Sequence, residues 1–284
     1  MSWDNGAGAS FGGWGSYGGV RRERKRWTRY DVAAVLLLTV LSAIASFVDL
    51  GDRTAPQTYW KPDRVGEGFV VDFGEPWQMD RITLYEGPGA RGETLIESSL
   101  DGETWTEYLK VEHKTNRVFT WTHEDKPVEA RYMRFTAERT GYRLYEAAFY
   151  NKLVTDTPIP YLTITANDKA GGASEGGGEP QYAVYRPDYR NSMYFDEIYH
   201  GRTAYEFIHG MEPYENTHPP LGKIVLELGI RLFDMTPYGW RFAAAVFGTL
   251  MVPIFYAVAR GMFNRTRYAV IATTLLALEG FRLV

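Results

Sequence analysis

Arg21-Arg22-Glu23-Arg24-Lys25-Arg26-Trp27-Thr28-Arg29 runs almost directly into Val32-Ala33-Ala34-Val35-Leu36-Leu37-Leu38-Thr39-Val40-Leu41-Ser42-Ala43-Ile44-Ala45-Ser46-Phe47-Val48. The apolar run holds 17 residues without a charge, close to the shortest helix that crosses about 30 Å of hydrocarbon. Cations packed against one end of such a run mark its cytoplasmic side. This reading makes residues 30–48 a first transmembrane helix and places Asp49 and the residues after it outside. A nucleic-acid patch has no need of the apolar run behind it. A cleaved signal peptide has a shorter apolar core and an Ala-x-Ala-like site, and no clear site of that kind is present after Val48.

Composition bounds the rest. The chain has 284 residues, 45% hydrophobic and 15% aromatic, with a net charge of −4, enough for one or two domains. No basic excess points to nucleic acid. Cysteine is absent, which excludes disulfides and thiolate metal sites. Residues 1–29 read as a Gly-rich, basic, disordered cytoplasmic tail, since Trp3, Phe11, Trp14 and Tyr17 stand there without aliphatic partners.

From about residue 55 to 151 the pattern changes to short alternating stretches. Gly68-Phe69-Val70-Val71-Asp72-Phe73-Gly74, Arg81-Ile82-Thr83-Leu84-Tyr85 and Arg131-Tyr132-Met133-Arg134-Phe135-Thr136 are separated by turn signals such as Gly87-Pro88-Gly89 and Asp101-Gly102. Many short strands predict a β-sandwich of jelly-roll type. Ser98-Ser99-Leu100-Asp101-Gly102-Glu103-Thr104-Trp105 and Ala130-Arg131-Tyr132-Met133-Arg134-Phe135 resemble the recurring strands of discoidin domains, the coagulation factor C type. The resemblance implies a glycan or lipid head group as a ligand class, without assigning ligand residues. Trp105 reads as a buried aromatic packing the sandwich.

Residues 152–191 read as a linker, with Ala170-Gly171-Gly172-Ala173-Ser174-Glu175-Gly176-Gly177-Gly178 at its centre. No Lys-Ser or Lys-Thr comes after it, so this is not a phosphate loop. Residues 192–240 form an outer loop. In it Ile224, Val225, Leu228 and Leu232 recur on one face and Lys223, Glu227 and Arg231 on another, which predicts an interfacial amphipathic helix over 222–233. Residues 241–259 form a second transmembrane helix, closed on its cytoplasmic side by Arg260, Arg265 and Arg267. Residues 268–284 start a third. Three spans suffice neither to enclose a lipid-linked substrate nor to close the architecture, so the native chain is expected to continue past Val284 and this length alone to be inactive.

Tyr194-Phe195-Asp196-Glu197-Ile198-Tyr199-His200 and His218-Pro219-Pro220-Leu221-Gly222-Lys223 lie in the outer loop, and Arg241 opens the second span. Adjacent carboxylates and a guanidinium beside a bilayer suit transfer of a sugar from a lipid phosphate. An attacking hydroxyl needs a base, which Asp196 supplies, and the leaving phosphate needs donors, which Arg241 supplies. The plain alternatives are a helix cap for the acid pair and an interfacial anchor for Arg241. His200 and His209 read as ordinary interfacial residues. A histidine-only metal site from His200, His209 and His218 matches no known metal spacing.

Phe195-Asp196-Glu197, His218-Pro219-Pro220-Leu221-Gly222-Lys223, Trp240-Arg241-Phe242 and Leu276-Ala277-Leu278-Glu279-Gly280-Phe281-Arg282 together resemble the protein O-mannosyltransferase family, membrane glycosyltransferases of the C type. The resemblance implies a mixed membrane protein: transmembrane α-helices of such a transferase, with the discoidin-like sandwich inserted outside after the first span. It implies inverting transfer of mannose from a polyprenyl phosphate to Ser or Thr of exported proteins, at a bacterial cell membrane. Asp196 is then the base, Glu197 supports the acceptor or donor, Arg241 binds the donor phosphate, and His218, Pro219, Pro220 and Lys223 shape the pocket. The resemblance assigns no metal ligand, and dependence on a divalent metal is left open. Ile198-Tyr199-His200 departs from the family's more usual Val-His-Phe, which leaves donor sugar and acceptor open. Another lipid-linked sugar, a lipid or wall-polymer acceptor, or a membrane-anchored glycan-binding protein are the competing readings.

Overall fold

A computed structural model describes residues 26–151, 153–154, 156–166 and 178–279. The tail over 1–25, the glycine run over 167–177 and the Gly280-Phe281-Arg282 ending of the last motif lie outside the described residues.

The sandwich is built on two long strands that fold back on themselves. β1 (Gly68–Gly87) and β4 (Thr120–Arg139) pair antiparallel along their length, with register breaks between Asp72 and Trp77 and between Met79 and Arg81. Such breaks bend a strand sharply. The bend lets each strand serve both layers. β3 (Thr106–His113), β2 (Gly92–Ser99), the second half of β4, the first half of β1 and β6 (Thr163–Ala166) form one layer. The first half of β4, the second half of β1 and β5 (Arg143–Tyr150) form the other. Phe69 stacks on its cross-strand partner Phe135 at 4.5 Å, and Phe73 and Phe135 meet Phe149 of the opposite layer at 5.5 and 6.1 Å. Trp60, fully buried, closes this core edge-on against Phe69 and Tyr142.

Two expectations change here. The stretch read as a linker over 152–191 contains β6, which pairs with residues 69–72 of β1, and Ile159 enters the core. Its alternation is only four residues long, too short to stand out beside the glycine run. Trp105 is half-buried, not buried: it lies under the Arg134 guanidinium, 4.2 Å from the ring centroid.

β5 is buried along almost its whole length, because its second face is covered too. There Tyr85, Phe119, Trp121 and Tyr145 pack with Met193, Ala204, Tyr205, Ile230, Met235 and Trp240 in a second core. The covering elements are α2 (Glu197–Ile208), α3 (Pro220–Phe233) and the start of α4 (Pro237–Phe263). Glycines permit the close approach: a Cβ on Gly229 would lie 2.2 Å from the Gly239 carbonyl oxygen, and one on Gly201 2.8 Å from Met193 Cε.

α1 (Arg29–Phe47) and α4 are long and apolar enough to cross a membrane. They run antiparallel. Phe47 meets Phe242 at one end, at 5.8 Å, while Arg260 Nε donates to Asp31 at 2.9 Å at the other. Leu36, Leu37, Val40, Leu41 and Ile44 on α1 remain more than half exposed. α5 (Thr266–Ala277) packs against α4. Its 12 residues span only about 18 Å at ~1.5 Å each, so the described part of the third apolar run falls short of a crossing.

Candidate active site

The residues singled out in the outer loop converge where α2, α3 and α4 meet below the sandwich. Phe195 adopts a left-handed backbone, φ +49°, and its side chain is 80% exposed. For a non-glycine residue this conformation is disfavoured and belongs to a tightly determined turn. It delivers Asp196 to the N-cap position of α2.

Asp196 and Glu197 part company there. Asp196 is exposed at the N-cap position and its side chain makes no capping hydrogen bond, whereas the Glu197 carboxylate accepts from Tyr194 N at 2.9 Å across the turn that opens α2. Glu197 faces α4, where Arg241 Nε and Nη2 donate to its two carboxylate oxygens at 2.5 and 2.6 Å. This fork-to-fork pair is the strongest geometry available to these groups. Arg241 also donates from Nη1 to the Leu50 carbonyl and from Nη2 to the Ser192 carbonyl, at 3.1 and 3.2 Å. Four of its five N–H groups are therefore committed to fastening α4 to the end of α1, to the segment before α2, and to Glu197.

The His-Pro-Pro corner is organised by Glu215, a residue whose type alone gave no sign of this part. Its carboxylate accepts from Thr217 N at 2.6 Å and from His218 N at 3.2 Å, and it also receives the Lys223 ammonium. Lys223 Nζ donates as well to the Glu215 carbonyl at 2.7 Å. Lys223 is buried, with 2% exposure. The Lys223 ammonium, ahead of the Thr217 hydroxyl, holds the Glu215 carboxyl well below the usual carboxylate range. Pro219 is extended and Pro220 opens α3, where a missing N–H costs nothing. An acid three residues before the histidine is a turn-capping pattern, and that spacing could have revealed it.

His200, read as a bystander, sits with its ring 5.2 Å from that of His218. Burial, then the charges of His218 and Lys223, push its imidazole below the ordinary value, against opposition from Glu215 and Asp196. Neutral imidazole is therefore its form near neutrality. His209 is held apart: its Nδ1 donates to the Tyr205 carbonyl at 2.8 Å and its ring stacks on Tyr205 at 3.9 Å. Among the described residues no group of three His, Asp or Glu is placed to hold a metal ion. The geometry thus offers one open carboxylate, a second carboxylate locked to a guanidinium, and a paired imidazole cluster, which suits proton abstraction beside a fixed electrostatic frame.

Residues 43–148 match the F5/8 type C domain family. Over 96 residues the chain is 30% identical to the polyprenol-phosphate-mannose--protein mannosyltransferase of Mycobacterium tuberculosis (strain CDC 1551 / Oshkosh), covering 32% of this chain and 18% of that protein. It is 42% identical over 67 residues to the protein of the same name from Corynebacterium glutamicum, covering 24% of this chain and 13% of that one. The chain thus spans less than a fifth of the length of these relatives. Among solved structures, CBM32-1 from a family 31 glycoside hydrolase from Clostridium perfringens aligns with 33% of this chain and 75% of its own, at 18% identity and a TM-score of 0.29.

Proposed function

We propose that this chain carries the acid-pair and His-Pro-Pro side of a membrane glycosyltransferase that moves mannose from a polyprenyl phosphate to Ser or Thr hydroxyls of exported proteins. α1 and α4 cross the bilayer, with the Asp31–Arg260 end cytoplasmic and the sandwich and acid pair outside. The similarity to polyprenol-phosphate-mannose--protein mannosyltransferases supports the reaction class.

The observation that carries the assignment is the asymmetry of the acids. Asp196 is exposed and caps nothing, whereas Glu197 is held by two hydrogen bonds from Arg241. Asp196 takes the proton from the acceptor hydroxyl as its oxygen attacks the sugar C1. The C1–O bond to phosphate breaks from the opposite face, inverting C1 and releasing polyprenyl phosphate. Glu197 and Arg241 fix the start of α2, and the last Nη1 N–H of Arg241 is offered to the departing phosphate. His218, Pro219, Pro220 and Lys223 hold the corner that walls the site. A membrane-anchored glycan binder would use the sandwich but gives no role to a carboxylate kept open between a strained turn and a histidine pair.

Asp196→Asn preserves size and removes the base. In membranes that hold the native protein, transfer from polyprenyl-phosphate mannose to a Ser/Thr peptide is expected to fall at least ~10²-fold. Transfer at the unsubstituted rate would remove Asp196 from the reaction.

A further inference from the structure

We infer that the acceptor polypeptide enters through an open cleft between the sandwich and the outer loop, and that this cleft favours segments carrying acidic side chains; the inference rests on the transferase reading above. The cleft encloses about 440 Å³ and is lined by Arg91, Lys114, Thr115, Asn116 and Tyr214. Arg91 comes from the β1–β2 connection and Lys114 to Asn116 from the β3–β4 connection, at the same end of the sandwich. Tyr214 comes from the loop that leads to the His-Pro-Pro corner.

The two walls are fastened to each other, so the cleft is a built feature. Arg202 on α2 donates from Nη1 to the Thr115 carbonyl, and its guanidinium lies 3.9 Å from the Tyr214 ring centroid. Glu206 holds Arg202 and Tyr214 in place, accepting from Arg202 Nε at 2.6 Å and from Tyr214 N at 2.7 Å. The Tyr214 wall continues toward the base. Its ring lies parallel to that of Tyr199 with centroids 6.3 Å apart, and Tyr199 stands three residues after Asp196. Tyr194 and Phe195, the two residues before Asp196, are 63% and 80% exposed.

The lining specifies the occupant. The Asn116 amide and the Thr115 hydroxyl suit peptide groups, and Tyr214 offers a flat apolar face. Arg91 and Lys114 add two cations. Arg91 pairs with Glu112 at 3.0 Å, but both side chains are largely exposed, and exposed pairs exchange partners at little cost. Such a space holds a few residues of extended chain. An acceptor there lies against the sandwich while its hydroxyl reaches toward Asp196, which gives the sandwich a part in acceptor choice.

The test is binding to the full chain in detergent micelles, read by fluorescence anisotropy with labelled Ser/Thr peptides flanked by Asp and Glu or by Lys. The acidic peptide is expected to bind about tenfold more tightly than the basic one, with the preference weakening as salt rises. Arg91→Glu with Lys114→Glu should reverse the preference, and Arg91→Gln with Lys114→Gln should abolish it; neither pair belongs to a buried core. Equal binding of the two peptides, or a preference untouched by both double variants, overturns the inference. The two readings fail separately: a failure of the cleft shows in the anisotropy of these peptides, whereas a failure of the transfer reading shows in sugar transfer by Asp196→Asn.

Discussion

Glu146 lies fully buried within β5, its carboxylate accepting from the Glu179 and Ala147 backbone N–H groups at 2.7 and 3.0 Å. Burial pushes its carboxyl up to about 8, against the opposing pull of those N–H groups. In the unfolded chain the group ionises near its ordinary value of 4.5. Between these two values the folded state holds the proton that the unfolded state has lost, so stability falls as pH rises through that window, by up to ~1.4 kcal/mol per pH unit. Thermal melting followed from pH 5 to 9 should show the decline, and Glu146→Gln should flatten it; an equally steep decline in that variant would place its origin elsewhere. A sequence identifies residues by type, which is why Asp196, Glu197 and His218 stood out as candidates. Glu146 did not stand out, because its character comes from what folding sets beside it, and the spacing of Glu215 to His218 could reveal only its place in the turn, not its pairing with Lys223. The phosphate role expected for Arg241 was legible as charge, while the commitment of its donors to Glu197, Leu50 and Ser192 depends on three separate segments meeting.

At the scale of elements, the contact between α1 and α4 includes a buried polar cluster at one end. Asp31 is fully buried, completes a capping box with Thr28, and accepts from Arg260 Nε and the Tyr256 hydroxyl, both at 2.9 Å. Removing one member leaves the other as an uncompensated buried charge, a loss of ~3–5 kcal/mol, whereas replacing both with apolar groups is far milder. Arg260→Met should therefore lower the melting temperature of the detergent-solubilised chain sharply, and Asp31→Leu added to it should recover most of the loss. A double variant no better than the single would deny the coupling. The apolar runs that form α1 and α4 were plain in the sequence, since length and hydropathy are local properties. The bends in β1 and β4 were not, because the alternation read over residues 68–74 stops at a register break inside a strand that continues to Gly87. α3 shows both sides of the matter. Its amphipathic pattern was visible, and Leu221, Ile224, Leu228 and Leu232 are indeed left exposed, yet Lys223 is buried and bonded to Glu215 of the preceding loop.

For the molecule as a whole, the decisive feature is that the sandwich is not a bead on a tether. Phe119 packs edge-on against Tyr145 of β5 and Tyr205 of α2, at 5.8 and 5.1 Å, and its carbonyl accepts from Met193 N at 2.9 Å. The Tyr145 and Tyr205 hydroxyls are joined at 2.9 Å across the same boundary. Deleting the sandwich would strip one side from the core that supports α2, so loss of transfer in such a deletion cannot distinguish a transferase from a binder. A point change can. Phe119→Ala removes a fully buried ring at a cost of ~3–5 kcal/mol. If the two parts share one core, that loss reaches α2 directly: amide hydrogen exchange over residues 197–208 should quicken together with that over 143–150, and transfer should fall although Asp196 is untouched. Tyr145→Phe combined with Tyr205→Phe removes both hydroxyls and should be nearly silent, while Tyr205→Phe alone leaves a buried donor unpaired and costs ~1–3 kcal/mol. Exchange in α2 that ignores Phe119→Ala would mean that the helices hold Asp196 without the sandwich, and the second core would then be contact without coupling.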